Sequence, residues 1–285
     1  MSLKQPARYP VKYYSHLDAE APLLADANGV IKTILKACLV TGYGTKESAG
    51  WTALFEDDFR IVLRRPLRTG NPPDIKIENG VIGGVSKHRI VSQDDPTGLD
   101  DATELAVVNL LARDSERGSN WHLIVSDFGF VLCYGMGAQY RAYKRGQILY
   151  IGSFKKMIDS DLDFFGVSAG AGIALSGVAD SALRGFLDST TLIRNMRTNQ
   201  QSNAKSFLNL TVAETYYNSD YLAQQVICDN RYILPFYCSL SSSYDNTADI
   251  VASIDGRSML RFVNVLISDT YTPRAFYIPL DYWEL

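Results

Sequence analysis

A catalytic reading of this chain begins with its polar residues, and the histidines that most often do acid–base work number three: His16, His88 and His122. A Ser–His–Asp arrangement would need a nucleophile on a sharp strand-to-helix turn, and no GxSxG elbow is present. Metal-ligand spacing of the HxxxH, HExxH or paired-cysteine kind is also missing. The histidines are therefore expected to be structural. Asp159, Asp161 and Asp163 open like a calcium loop, but Phe164 and Gly170 stand where the loop needs glycine and glutamate. Whether residues 94–101 or 159–163 hold a cation stays open. Gly170-Ala171-Gly172 follows a strand-like run as a dinucleotide turn would, yet Leu175 occupies the third glycine position. Gly42-Tyr43-Gly44-Thr45-Lys46 lacks the Gly-Lys-Ser/Thr order that cradles phosphate. No cofactor is expected. Glycan hydrolysis would need two carboxylates in one cleft, with Asp57, Asp58, Asp94 and Asp95 as the acids to watch.

One stretch joins positive charge to aromatic rings: Tyr140, Arg141, Tyr143, Lys144 and Arg145. Arginines beside tyrosines can neutralise phosphates and stack on bases. The stretch falls between two apolar strands, where a solvated loop tip is the ordinary expectation. The whole chain carries 28 basic and 31 acidic residues, net charge −3, the wrong sign for a protein that coats nucleic acid.

The elements that would position these groups are mostly strands. Residues 1–16 hold Pro6, Pro10 and three tyrosines without periodicity, and are expected to form an extended arm. Its prolines discourage pairing within the chain's own sheet, so Tyr9, Tyr13 and Tyr14 become candidate contacts for a neighbouring subunit. From Leu23 to Leu39 apolar residues recur at helical spacing, with Asp18 as a possible cap, Gly29 inside, and Gly42 and Gly44 at the end. After Trp51, runs rich in Val, Ile and aromatics predict strands, with hairpin turns at Glu78-Asn79-Gly80 and at Ser126 to Gly129. Leu105 to Ala112 fits helix or strand equally. Phe186 to Asn203 is polar and reads as exposed arms or long loops; strands then return at 221–228, 231–240, 258–268 and 275–282.

The division expected is an arm over 1–16, a helix plus β domain over 17–168, and a second β-rich region over 178–285 that is continuous with the first or separate from it. The fold class expected is mainly β: an N-terminal amphipathic helix packed on an antiparallel, sandwich-like sheet structure. With 46% hydrophobic and 21% charged residues the composition is that of a globular protein. No apolar run reaches the roughly eighteen residues of a membrane-spanning helix, and the N-terminus lacks the features of a signal peptide. Cys38, Cys133, Cys228 and Cys238 follow no pairing pattern. A hairpin turn at Asp229-Asn230 would set Cys228 opposite Arg231 and Cys238 opposite Tyr221, out of line for a bridge. A reduced, cytoplasmic environment is expected.

A different signal comes from Tyr13 to Leu24 (YYSHLDAEAPLL) followed by Lys36 to Phe55 (KACLVTGYGTKESAGWTALF). This opening resembles that of a family of tailed-bacteriophage and prophage proteins, mostly labelled hypothetical or virion structural. Asn120 to Asp127 (NWHLIVSD), Gln147 to Phe154, Arg231 to Tyr237, Asp255-Gly256-Arg257 and Ile278 to Trp283 are similar to later family landmarks, though the glycines usual near 231–237 are missing. The resemblance implies a non-enzymatic virion component of neck, tail or tail tip, in contact with other virion proteins and with copies of itself. It implies a bacterial cytoplasmic location during assembly and then the particle, and it supplies no catalytic residues. The rival expectations are a phage-encoded hydrolase of host-surface glycans and a connector that touches nucleic acid through 140–145.

Overall fold

The computed structural model describes residues 7–24, 28–66, 72–101, 103–109, 120–136, 147–156, 163–169, 191–195, 201–204, 224–228, 232–240, 248–254, 256–264 and 274–284. The described chain is mostly strand, in antiparallel sheets with one short helix. This is the mainly β class expected from the punctuation of short Val/Ile/aromatic runs. No helix among the described residues is long and apolar enough to cross a membrane, which has no bearing on spans made of strands.

The N-terminal segment is not a free arm. Residues Arg8–Pro10 (β1) pair with Tyr282–Glu284 (β19), setting Tyr9 opposite Trp283. Lys12–Ser15 (β2) pairs with Asn120–Ser126 (β8), Tyr14 opposite Leu123. Pro10 is tolerated because β1 is a three-residue strand in a two-stranded ribbon, where one side needs no donor. The aromatic rings favour this pairing: Tyr14 is buried, and Tyr9 and Tyr13 half-buried, by their own chain.

The helix starts later than its apolar pattern predicts. Val30–Lys36 is α-helical (α1) and Ala37–Thr41 continues it in a wider, π-helical turn. Leu24 is buried but Leu23 is 82% exposed, so their helical spacing is coincidental. Gly29 lies at the start of the helix, not within it, and Asp18 does not cap it. The cap comes from a distant strand: Asn79 Oδ1 accepts the Ile31 N–H at 2.9 Å. Val30, Ile31, Ile34, Leu35, Cys38 and Leu39 form the buried stripe.

After the helix, Thr52–Glu56 (β3), Arg60–Arg64 (β4), Asp74–Ile82 (β5), Val85–Gln93 (β6) and Glu104–Asn109 (β7) make a five-stranded meander. The ambiguous 105–112 stretch is thus strand where described. Glu78-Asn79-Gly80 is not a turn. β5 and β6 run on to a two-residue turn at Gly83-Gly84, both with positive φ (59° and 77°), as a tight hairpin requires. Asn79 is instead occupied as the helix cap, and Gly80 leaves room for the Phe59 ring, which a Cβ would approach to 2.6 Å. One face of the meander (Ile61, Leu63, Ile75, Ile77, Ile90, Ala106) enters the core with α1. The alternating residues form the other face.

Twelve of the described strands form the larger sheet. β8, Gly129–Met136 (β9), Gln147–Lys156 (β10) and Asp163–Ala169 (β11) pair in sequence, with the expected turn at Asp127-Phe128. Thr191–Asn195 (β12) and Gln201–Ala204 (β13) extend it. The polar 186–203 stretch therefore contains paired strand and not only loop, with β13 at the end of the sheet path. Gln224–Cys228 (β14), Tyr232–Leu240 (β15), Ala248–Ile254 (β16), Arg257–Asn264 (β17) and Arg274–Pro279 (β18) follow. β16 was not among the expected strands. Cys228 lies opposite Tyr232, one residue past the partner expected, and a bulge between Gln225 and Ile227 shifts the register further, setting Cys238 opposite Gln224.

The end of β10 carries the sheet across the chain's two halves: Lys155 pairs with Ile233 and Lys156 with Tyr232. Leu149 and Ile151 of β10 join the core beneath α1, along with Trp121, Leu123, Phe130 and Leu132. Tyr150 instead meets Phe236 and Trp283, ring centroids 6.1 and 6.0 Å apart. Apolar residues on both faces explain why QILYIGSF shows no alternation.

Candidate functional site

Three of the motif segments, 13–24, 36–55 and 120–127, meet near the last turn of α1. Ser15 to Ala21 makes two successive turns, with Asp18 N–H donating to the Ser15 carbonyl at 3.0 Å and Ala21 N–H to that of Asp18 at 3.2 Å. The Asp18 carboxylate holds this loop from three directions. It accepts the Ser15 N–H at 2.8 Å, the Tyr43 hydroxyl at 2.7 Å and an ion pair from Lys46 at 3.1 Å. Lys46 also donates to the Tyr13 carbonyl at 3.1 Å. Gly44 fits because it has no side chain: its φ is +52°, and a Cβ would lie 2.7 Å from the Ala19 carbonyl oxygen. The third segment closes the site, with Trp121 Nε1 donating to the Pro22 carbonyl at 2.8 Å.

Two of the three histidines, His16 and His122, meet beside this loop. His122, on β8, is 3% exposed, and its Nδ1 lies 2.7 Å from the Tyr13 hydroxyl. The His16 ring stands edge-on to it at 5.2 Å, with His16 Nδ1 3.1 Å from the Trp121 carbonyl. Burial pulls the His122 pKa down to about 4; His16 lowers it further, while Asp18 acts the other way. Burial likewise pushes the Tyr13 hydroxyl up to about 12. At neutral pH this is an uncharged phenol on an uncharged imidazole. His88 is placed elsewhere, its Nδ1 2.9 Å from Asn79 Nδ2 in support of the helix cap, and burial lowers its pKa.

Of the proposed contact tyrosines, Tyr14 is 1% exposed, its hydroxyl donating to the Glu47 carbonyl at 2.7 Å. Tyr13 is held by His122, and Tyr9 packs edge-on to Phe128 at 4.0 Å. All three rings make contacts within the chain, Tyr14 buried, Tyr9 and Tyr13 half-buried. Tyr140, Arg141, Tyr143, Lys144 and Arg145 lie outside the described residues, as do 159–162 and the glycines at 170 and 172. What the loop does display is Leu17, 78% exposed, and Leu23, 82% exposed. Leu17 carries no positional signal in the sequence, and Leu23 reads there as the start of the helix's apolar pattern.

Of the candidate carboxylates, Asp57 lies on the β3–β4 connection and Asp95 just after β6, and each pairs with an arginine. Asp57 binds Arg60 at 2.7 Å, and Arg60 also binds Asp100. Arg64 joins Asp74 at 2.6 Å and Asp95 at 3.3 Å. Lys76, 3% exposed, and Glu78, 2% exposed, pair at 3.6 Å, with Arg89 and Glu104 completing the group. Asp101 is held well below the usual carboxylate range by hydrogen bonds from Thr103 and Thr97. Asp57 and Asp95 thus serve a charge ladder, and among the described residues no group of three or more His, Cys, Asp or Glu is arranged to hold a metal ion.

Comparison of the chain with protein-family models, with curated proteins and with solved structures finds no match in any of the three.

Proposed function

We propose that this protein is a non-enzymatic structural component of a tailed-phage or prophage particle, working through contacts between subunits. The observation that supports this reading is the use to which the motif residues are put. Tyr13, Ser15, Asp18, Tyr43, Lys46 and Trp121 bond to one another and to the backbone. They stiffen a surface loop that presents two leucines to solvent. Holding an apolar loop in one conformation reduces the entropy lost when it docks, which is what an assembly surface requires. The proposed location follows from the same reading: the bacterial cytoplasm during assembly and the particle afterwards.

The test is the protein content of purified particles from a host that carries the gene. The reading expects the chain at a fixed stoichiometry in the particles, and defective particles when the gene is deleted. Intact, infectious particles lacking the chain would overturn it, as would glycan cleavage by the purified protein.

A further inference from the structure

The N-terminal strand closes over a buried histidine. Among the described strands β2 pairs with β8 alone, whereas β8 is paired on both sides, by β2 and β9. His122, 3% exposed on β8, has its ring against the N-terminal segment. Its Nδ1 lies 2.7 Å from the Tyr13 hydroxyl, and the His16 ring stands edge-on to it at 5.2 Å. We propose that the pairing of β2 with β8 is a proton-sensitive clasp: protonation of His122 releases residues 12–16 from the sheet while the helix and the meander stay folded.

The cluster has no place for the added charge. An imidazolium buried away from water needs a counter-charge or a full set of acceptors. From β2 the ring meets the Tyr13 phenol, which is neutral because burial pushes its pKa up to about 12. From the loop it meets His16, a second base whose own protonation would set two positive rings side by side. Asp18 is the carboxylate that acts on it, and that group is already bonded to the Lys46 ammonium, the Tyr43 hydroxyl and the Ser15 N–H. From β9 the residue opposite is Cys133, a neutral thiol because burial raises its pKa.

Relief is local because both rings that confine His122 belong to one strand and its following turn. Moving β8 would break two ladders and draw Trp121, Leu123 and Val125 out of the core. Moving β2 breaks a single ladder, Lys12 to Ser15 against His122 to Val125, and brings water to the imidazole. At neutral pH the clasp is held shut by Tyr14, 1% exposed with its hydroxyl on the Glu47 carbonyl. Lys46 on the Tyr13 carbonyl and Lys12 on the Ser48 carbonyl add to the closure. A proton shifts this balance only through the difference in its affinity for the two states. With the ring near pKa 4 when enclosed, chiefly through burial, and near 6.5 when released, the opening constant rises roughly twenty-fold from pH 7 to pH 5.

Hydrogen exchange of the full-length chain, read by mass spectrometry, tests the clasp. The reporter peptide covers residues 12–16, where the His16 N–H donates to the Trp121 carbonyl at 3.0 Å in the closed state. Peptides from α1 and from the β5–β6 hairpin serve as references. Rates are divided by the intrinsic chemical rate at each pH, and each series is repeated in low, non-denaturing urea. Protection over 12–16 is expected to fall roughly twenty-fold between pH 7 and pH 5. It should respond little to urea, because a short strand exposes little surface when it opens. His122→Gln should abolish the pH response of this peptide. Protection that holds constant across the pH range would overturn the proposal. So would a urea dependence over 12–16 as steep as that of α1, since the proton would then act only through unfolding of the whole chain. A pH response that persists in His122→Gln would overturn it as well, and the wild-type comparison stands without the variant. The clasp acts within one chain, so its failure leaves the subunit-contact reading untouched.

Discussion

Acidification between pH 7 and pH 5 should destabilise this protein through His122 before any carboxylate is protonated. The side chain is 3% exposed and burial sets its pKa near 4, against an ordinary value of 6.5. The unfolded chain therefore binds a proton between those values that the folded chain refuses. Stability is fully present above the unfolded pKa and falls as pH drops towards the folded one. Integrating the two titrations gives a loss of about 2 kcal/mol from pH 7 to pH 5, approaching about 3 kcal/mol near pH 4. His88, whose pKa burial also lowers, adds to the slope in the same direction. The groups around His122 do not cancel the effect: His16 reinforces it, Asp18 opposes it, and the Tyr13 hydroxyl is neutral throughout this range. Urea unfolding at half-unit steps from pH 7 to pH 5 measures the loss, and His122→Gln should remove most of the slope whatever it does to the baseline. A wild type equally stable at both ends, or a slope unchanged in His122→Gln, would refute the reasoning.

Leu35, wholly buried in the stripe of α1, should cost about 2–5 kcal/mol when replaced by alanine, read as a lowered urea midpoint. Glu78→Ala leaves the buried Lys76 and the neighbouring Arg89 short of a carboxylate and should cost about 3–5 kcal/mol, while Glu78→Leu combined with Lys76→Met should recover much of it in the same assay. Removing residues 1–12 takes away β1, the Arg8–Glu284 ion pair and the Tyr9 ring against Phe128, so the shortened chain should melt at a lower temperature. An unchanged melting temperature would show these contacts to be dispensable.

The sequence by itself determined the class of this fold. Short runs such as RIVLR and NWHLIVS, broken by turn residues, have few alternatives to antiparallel strands, and the stripe from Ile31 to Leu39 can bury its apolar side only as a helix. It also marked the segments that meet in the latch, because YYSHLD, GYGTK and NWH stand out as motifs. Their meeting was decided elsewhere. Asp18 looks like a helix cap locally, yet it bonds Tyr43 and Lys46, more than twenty residues away, and only the pairing of β2 with β8 brings His122 to Tyr13. Asn79-Gly80 shows the same limit. As a dipeptide it has the chemistry of a turn; in the fold, Asn79 caps a helix through the N–H of Ile31, forty-eight residues earlier, and Gly80 makes space for Phe59. Tyr9, Tyr13 and Tyr14 were legible as apolar surface in need of a cover, but not whose. Local spacing constrains backbone conformation, whereas burial and hydrogen-bond partners are set by which distant strands pair, and that register is a property of the whole chain.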